Sequence, residues 1–229
     1  MSARTWQNRG VSAASEREIR RAATVIAARS GPTGVEVLLL RRSAGSRFLP
    51  GYVVFPGGAV DPEDAEHAER WFGTPDEAAR AAAVRELAEE AGLVVTAGGV
   101  GPAPVGELLA PVDTSPPEPE VLPQIAHWVA PQDVPVRFDA RYFAVAAPAD
   151  LEPQPDGHEA AEAWWGGPGE LMRRWAAGEE RLYWPTMKTM EALAGCDTVE
   201  QLLALDIPQQ EPEEGDEERM PRSTFRQDG

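Results

Sequence analysis

Up to Gly58 the apolar residues come in short runs separated by turn formers. Residues 22–28 hold only Ala, Thr, Val and Ile, which reads as a strand. Ser30-Gly31-Pro32 follows as a turn signal. Residues 35–41 read as a second strand, and the unbroken apolar stretch 37–40 predicts a central position in a sheet. Residues 52–55 read as a short third strand ending at the Pro56-Gly57-Gly58 turn. Beyond it, the polar, carboxylate-rich residues 61–70 predict a surface helix. Residues 76–91 mix Ala with Glu and Arg, the strongest helix signal in the chain, with Pro75 before it and Gly92 after it as start and stop. Residues 93–96, 105–109, 125–129, 142–146 and 160–165 read as strands, and 113–123, with four prolines, as a loop. Residues 168–177, 186–194 and 199–205 read as helices. Strands that precede and flank one long helix, followed by further helices, predict an α/β class: a mixed sheet sandwiched between helices, with added C-terminal helices.

The pattern stops at both ends. Residues 1–20 lack clear periodicity and are expected as an N-terminal arm, in which 15–21 could form a short helix. Residues 21–207 make the folded body, with C-terminal helices over about 168–205. From Pro208 the composition changes: six carboxylates fall within residues 211–218, and 208–229 is expected as an acidic disordered tail.

Composition narrows the function classes. With 229 residues, 42% hydrophobic and 26% charged, the chain can bury an ordinary core. A net charge of −17 argues against nucleic-acid binding and against docking on anionic membranes. The lone Cys196 excludes a disulfide framework and a multi-cysteine zinc site. The apolar stretches are strand-sized, and the first residues hold no secretory core, so a soluble cytoplasmic protein is expected.

The candidate chemistry lies near the end of the long helix. Glu86, Glu89 and Glu90 stand at i, i+3 and i+4, so their carboxylates share a face and repel one another. A cation would relieve that repulsion, and oxygen-only ligands point to Mg²⁺ or Mn²⁺ and to phosphate chemistry. The competing reading is a solvated acidic face. Arg85 directly before Glu86, and the upstream Gly57-Gly58 pair with its backbone open to close approach, favour the site.

Arg85-Glu86-Leu87-x-Glu89-Glu90-x-Gly92-Leu93 resembles the second half of the Nudix box, and Phe55-Pro56-Gly57-Gly58 resembles its opening. Glu77 stands at the Glu-x7-Arg spacing of that box. The box expects five residues between its last glycine and its first Glu, whereas eighteen separate Gly58 from Glu77, so thirteen are inserted, over about residues 61–73. A second resemblance runs through Leu38-Leu39-x-x-Arg42-Ser43-x3-Arg47-x3-Gly51-x3-Phe55-Pro56-Gly57-Gly58, which is similar to the signature upstream of the box in coenzyme A diphosphatases, with Leu40 where Thr is usual. The insertion, and the run Arg137-Phe138-Asp139-Ala140-Arg141-Tyr142-Phe143, resemble the long-insert branch that includes peroxisomal coenzyme A pyrophosphatases. Together the resemblances cover about residues 35–194.

The resemblance implies a Nudix fold and a role for each matching position. Glu89 and Glu90 become ligands of Mg²⁺ or Mn²⁺, helped by the backbone carbonyl of Gly57 or Gly58. Glu86 is a ligand or the general base, with Arg85 orienting it; Glu86, Arg85 and Glu89 form the catalytic set. A further carboxylate comes from Glu159 or Glu162. Arg42 and Arg47 bind substrate phosphates, unless they merely pair with neighbouring carboxylates, and Gly51 serves turn geometry in the same segment. The implied activity is metal-dependent hydrolysis of a nucleoside diphosphate linked to another moiety. Coenzyme A or acyl-coenzyme A leads, giving 3′,5′-ADP and (acyl-)4′-phosphopantetheine. ADP-ribose or a dinucleotide is the alternative substrate. A non-catalytic ligand-binding module is the alternative of another class, and the intact Arg85, Glu86, Glu89 and Glu90 argue against it. A small-molecule partner and a homodimer complete the expectation.

Overall fold

The computed structural model describes residues 19–130, 137–155, 157–214, 216 and 224. In chain order the strands are β1 (Ile19–Gly31), β2 (Gly34–Arg42), β3 (Val53–Val54), β4 (Gly57–Ala59), β5 (Leu93–Thr96), β6 (Gly99–Pro102), β7 (Gln124–Val129), β8 (Arg137–Ala146) and β9 (Ala160–Gly166). The helices are α1 (Pro62–Phe72), α2 (Ala78–Ala91), α3 (Ala110–Thr114), α4 (Pro168–Ala176), α5 (Trp184–Leu193) and α6 (Val199–Leu203).

Seven strands form one mixed sheet, while β5 and β6 pair as a separate hairpin. β1 runs parallel to β8. Its other edge is shared: residues 28–31 pair with β2 and residues 22–24 with β4. β2 pairs with β9 and, at Leu40 and Arg41, with β3. The sheet thereby forks, and the Phe55-Pro56-Gly57-Gly58 segment fills the fork, held by the Val25 N–H donating to the Pro56 carbonyl at 2.9 Å.

Alternation explains why the sheet is covered on both sides. Along β1, Ala23, Val25 and Ala27 enter one apolar cluster, Ile26 and Ala28 the other; along β2, Leu38 and Leu40 oppose Val37 and Leu39. The first face is covered by α2, with α1, α3 and the β5–β6 hairpin; the second by α4, α5 and α6. This is the expected mixed sheet between helices. The small alanines of α2 let it lie close to the sheet, and the helix is buried nearly all round.

Several local expectations are corrected. Gly57 and Gly58 are not a turn that ends a strand; they are β4, because β1 offers them an open edge where it diverges from β2. Residues 19–21 are strand rather than helix, since pairing with β8 overrides their local preference; 15–18 and the rest of the N-terminal arm lie outside the described residues. The strand expected at 105–109 forms instead at β6, where a tight turn from Thr96 to Gly99 returns the chain at once onto β5, and Val105 is left 99% exposed. The proline-rich 113–123 loop includes the end of α3 and a 3-10 turn, Pro119–Val121.

Of the tail expected to be disordered, three described residues contact the body. The Gln209 side chain exchanges two hydrogen bonds with the Val129 backbone, accepting at 2.8 Å and donating at 3.1 Å. Trp184 Nε1 donates to the Gln210 carbonyl at 2.7 Å, and Trp175 Nε1 to the fully buried Thr224 hydroxyl at 2.9 Å. Two indole N–H groups at the core edge need acceptors, and this segment supplies them. Residues 215, 217–223 and 225–229 of the tail lie outside the described ones.

Candidate active site

The end of α2 places Glu86, Glu89 and Glu90 beside the fork of the sheet. Their face is not the open one that the sequence suggests. Glu86 and Glu90, one turn apart, face β4 and are 8% and 3% exposed, whereas the Glu89 side chain is 47% exposed. The Gly57 N–H donates to Glu90 Oε2 at 2.8 Å, and Arg42 Nη1 stands 3.8 Å from Glu90 Oε1. Gly58 lets the Glu86 carboxylate come close: a Cβ there would collide with it, and the carboxylate would have to move.

Arg85 ties this acidic group together. Its Nη1 donates to Glu86 Oε1 at 2.8 Å and to Glu89 Oε2 at 2.9 Å. Its Nε and Nη2 each donate to Asp64 at 2.9 Å, and Nη2 also to the Ala59 carbonyl at 3.0 Å. Five donor contacts on one guanidinium keep Arg85 charged and fixed.

Burial pushes the Glu90 carboxyl up to about 8; the Gly57 N–H opposes the shift, nearby Glu86 adds to it, and Arg42 offsets part. Burial likewise raises Glu86 to about 7, against the pull of Arg85 and with the push of Glu89 and Glu159. Two desolvated carboxyls that repel each other are a poor arrangement without a further cation. Their hard oxygens, beside a backbone that approaches without a side chain, fit a divalent ion in chemistry. Among the described residues, no three Asp, Glu, His or Cys side chains converge as a finished metal shell; the oxygens are taken up by Arg85 and by the Gly57 N–H.

A cavity of about 800 Å³ opens from this acidic end. Glu86, Glu159, Asp61, Gly57 and Gly58 line it together with Arg42 and Arg20. Aromatic side chains also line it, Phe48, Trp128, Phe138, Tyr142 and Trp184, and residues 209–212 and Thr224 of the tail complete it. Of the two carboxylates proposed to reinforce the site, the structure brings in Glu159. Glu162 lies elsewhere, because its register in β9 sets it opposite Arg41, with which it pairs at 3.1 Å.

Arg42 lines the cavity, its Nε donating to the Phe48 carbonyl at 2.9 Å. Arg47 is exposed and lies outside the lining, on the loop whose next two residues, Phe48 and Leu49, line it. Gly51 has φ 74°, and its N–H donates to the Arg42 carbonyl at 3.2 Å, closing the loop that carries both arginines. Sequence reasoning missed Arg20 and Asp64. Arg20 has no signal beyond its charge. Asp64 had one: in Asp61-Pro62-Glu63-Asp64 it caps the start of α1, accepting from the Asp61 N–H at 2.8 Å.

The chain matches the family described as NUDIX domain over residues 18–184. It is similar to the crystal structure of a NUDIX hydrolase from Alicyclobacillus acidocaldarius, with 31% sequence identity, a TM-score of 0.69, and coverage of 83% of this chain and 98% of that one. It is also 41% identical over 80 residues to a Caenorhabditis elegans protein named "Putative nudix hydrolase 7". That match covers 35% of this chain and 24% of the relative, so the chain spans about a quarter of that protein's length. Among the described residues, no helix is long and apolar enough to cross a membrane.

Proposed function

The chain belongs to the Nudix hydrolase family, and from that premise we propose that it hydrolyses the diphosphate of coenzyme A or acyl-coenzyme A. The products are 3′,5′-ADP and (acyl-)4′-phosphopantetheine. One observation carries this reading. The segment that resembles the coenzyme A signature is also the segment that builds one side of the cavity: Arg42, Phe48, Leu49, Phe55, Gly57 and Gly58 all line it. The aromatic side chains among the lining support a ligand whose far end is not another charged group.

Glu86, Glu89, Glu90 and the Gly58 carbonyl would hold Mg²⁺ or Mn²⁺, with Glu159 as the added carboxylate. The ion, when bound, neutralises phosphate oxygens and makes water a better nucleophile. The protein's own groups do the rest. A carboxylate, Glu86 or Glu89, takes a proton from the water that attacks phosphorus, and the bridging anhydride oxygen leaves with the other phosphate. Arg85 touches both of these carboxylates and fixes their direction. Arg42 stands beside Glu90 at the cavity wall and offers a planar fork to a phosphate. Arg47, on the outer side of the same loop, meets a phosphate that projects from the mouth, as the 3′-phosphate of coenzyme A would. A cytoplasmic location and a homodimer belong to the proposal through the family resemblance alone.

Metal-dependent product release from coenzyme A and from ADP-ribose tests it. Coenzyme A is expected to have the higher kcat/KM. A higher value for ADP-ribose would overturn the substrate while leaving the diphosphatase chemistry in place.

A further inference from the structure

We propose that Asp64, and not Glu77, is the acid of the split box, acting as the positioning residue for Arg85. By spacing alone Glu77 holds the place, with seven residues between it and the arginine. In the fold it does not reach it. Glu77 sits just before α2, and its carboxylate accepts from Arg80 Nε at 2.9 Å. Arg80 in turn donates to the Pro119 and Leu122 carbonyls, so the Glu77–Arg80 pair ties the start of α2 to the 119–122 segment, away from Arg85.

Asp64 does reach it. Both of its oxygens accept from Arg85, Oδ1 from Nε and Oδ2 from Nη2, each at 2.9 Å. The carboxylate is fully buried and takes a further hydrogen bond from the Asp61 N–H at 2.8 Å. Two parallel bonds on one edge of a planar guanidinium leave it no rotation. The other edge is then presented at a fixed angle to Glu86 and Glu89, which it meets at 2.8 and 2.9 Å. Asp64 does not line the cavity, so its influence runs through Arg85.

The spacing supports the same assignment once it is counted from the other side. Five residues separate Gly58 from Asp64, the interval the box keeps between its last glycine and its acid. Twenty separate Asp64 from Arg85, and the thirteen extra residues fall there. The insertion therefore begins after Asp64 and loops out between acid and arginine. The first turn of α1 belongs to the box itself, and the rest of α1 with the 3-10 turn Pro75–Glu77 is the excursion.

The kinetic arm of the test rests on the diphosphatase reading; a second arm uses no substrate. In the full chain, Asp64→Asn, Asp64→Glu and Glu77→Gln are compared with wild type on coenzyme A and ADP-ribose with Mg²⁺. Asp64→Asn is expected to lower kcat by ~10- to 100-fold, the usual range for loss of a group that orients another, with KM changed by less than ~3-fold. Asp64→Glu, which keeps the charge and both oxygens, recovers part of kcat. Glu77→Gln stays within ~2-fold of wild type in kcat, as a pair that touches neither Arg85 nor the cavity should. Separately, hydrogen exchange at Arg85 Nε is followed by NMR, with the resonance assigned through Arg85→Lys. It is slow in wild type and Glu77→Gln and faster in Asp64→Asn. A Glu77→Gln loss of kcat equal to that of Asp64→Asn overturns the assignment, as does an Asp64→Asn protein with wild-type kcat and wild-type exchange. If Asp64→Asn does not fold, a tenfold loss of kcat in Glu77→Gln still overturns it. If wild type cleaves neither compound, the proposed function fails and the exchange measurement decides Asp64 by itself.

Discussion

The burial of Glu86 and Glu90 makes a measurable demand on the metal-free protein. Both carboxyls are held above the ordinary 4.5, at about 7 and about 8, so the folded state keeps protons that the unfolded chain has released. Their contribution to stability is complete below pH ~4.5 and is lost as pH rises through 7 and 8. At ~1.4 kcal/mol per pKa unit, the shifts correspond to roughly 3 kcal/mol for Glu86 and roughly 5 kcal/mol for Glu90. The two repel each other and titrate as a pair, so the loss belongs to the pair. Together they would consume much of the ~5–15 kcal/mol that holds a domain folded, so the carboxylates turn toward water before the fold gives way. That relaxation leaves an observable loss of about 2–4 kcal/mol between pH 5 and pH 8, or ~4–16 °C in melting temperature for a chain of this size. Glu90→Gln removes the charge and keeps an oxygen for the Gly57 N–H. In chelator the variant should match wild type at pH 5 and melt at least ~4 °C higher at pH 8. Saturating Mg²⁺ should restore wild type, by ~2.7 kcal/mol at a hundred times its Kd, and stabilise the variant less. Turnover of the variant should fall by at least ~10²-fold. Scanning calorimetry across pH, with chelator and with Mg²⁺, checks the whole set. A metal-free wild type whose melting point is flat or rises from pH 5 to pH 8 would refute the reasoning.

Three further outcomes are expected. Deleting residues 208–229 removes the four Gln209, Gln210 and Thr224 bonds to the body, and at ~0.5–1.5 kcal/mol per bond should cost about 2–6 kcal/mol; a melting temperature within 1 °C of wild type would sink this. Gly58→Ala drives a methyl group into the Glu86 carboxylate, so kcat should fall by more than ~10-fold while far-UV dichroism keeps its shape. Arg47→Ala removes an exposed cation, whose contact is worth ~0.5–1 kcal/mol rather than that of a buried one, so kcat/KM for coenzyme A should fall by only ~2- to 5-fold and that for ADP-ribose less. Equal loss on both substrates would remove the specificity role.

Much of the fold and the core of the site were legible in the order of the residues. Alternation along β1 and β2, the alanine-rich α2 with Pro75 and Gly92 at its ends, and the run from Arg85 to Glu90 are local patterns with a local cause. The chain's periodicity fixes which side chains share a face, whatever surrounds them. What surrounds them was decided elsewhere. That Glu86 and Glu90 are buried depends on β4 filling the fork between β1 and β2, and short glycine strands carry no periodic signal of their own. That Glu159 faces the cavity while Glu162 pairs with Arg41 depends on the register of β9, which its own residues do not specify. The tail's hold on Trp175 and Trp184 and the grip of Asp64 on Arg85 join residues far apart in the chain. A buried donor donates to whichever oxygen the fold brings within reach, so these partners were chosen by the packing of whole elements: no spacing rule in the sequence names the tail's partners, and the interval from Gly58 to Asp64 gains its meaning only once the fold shows which acid holds Arg85.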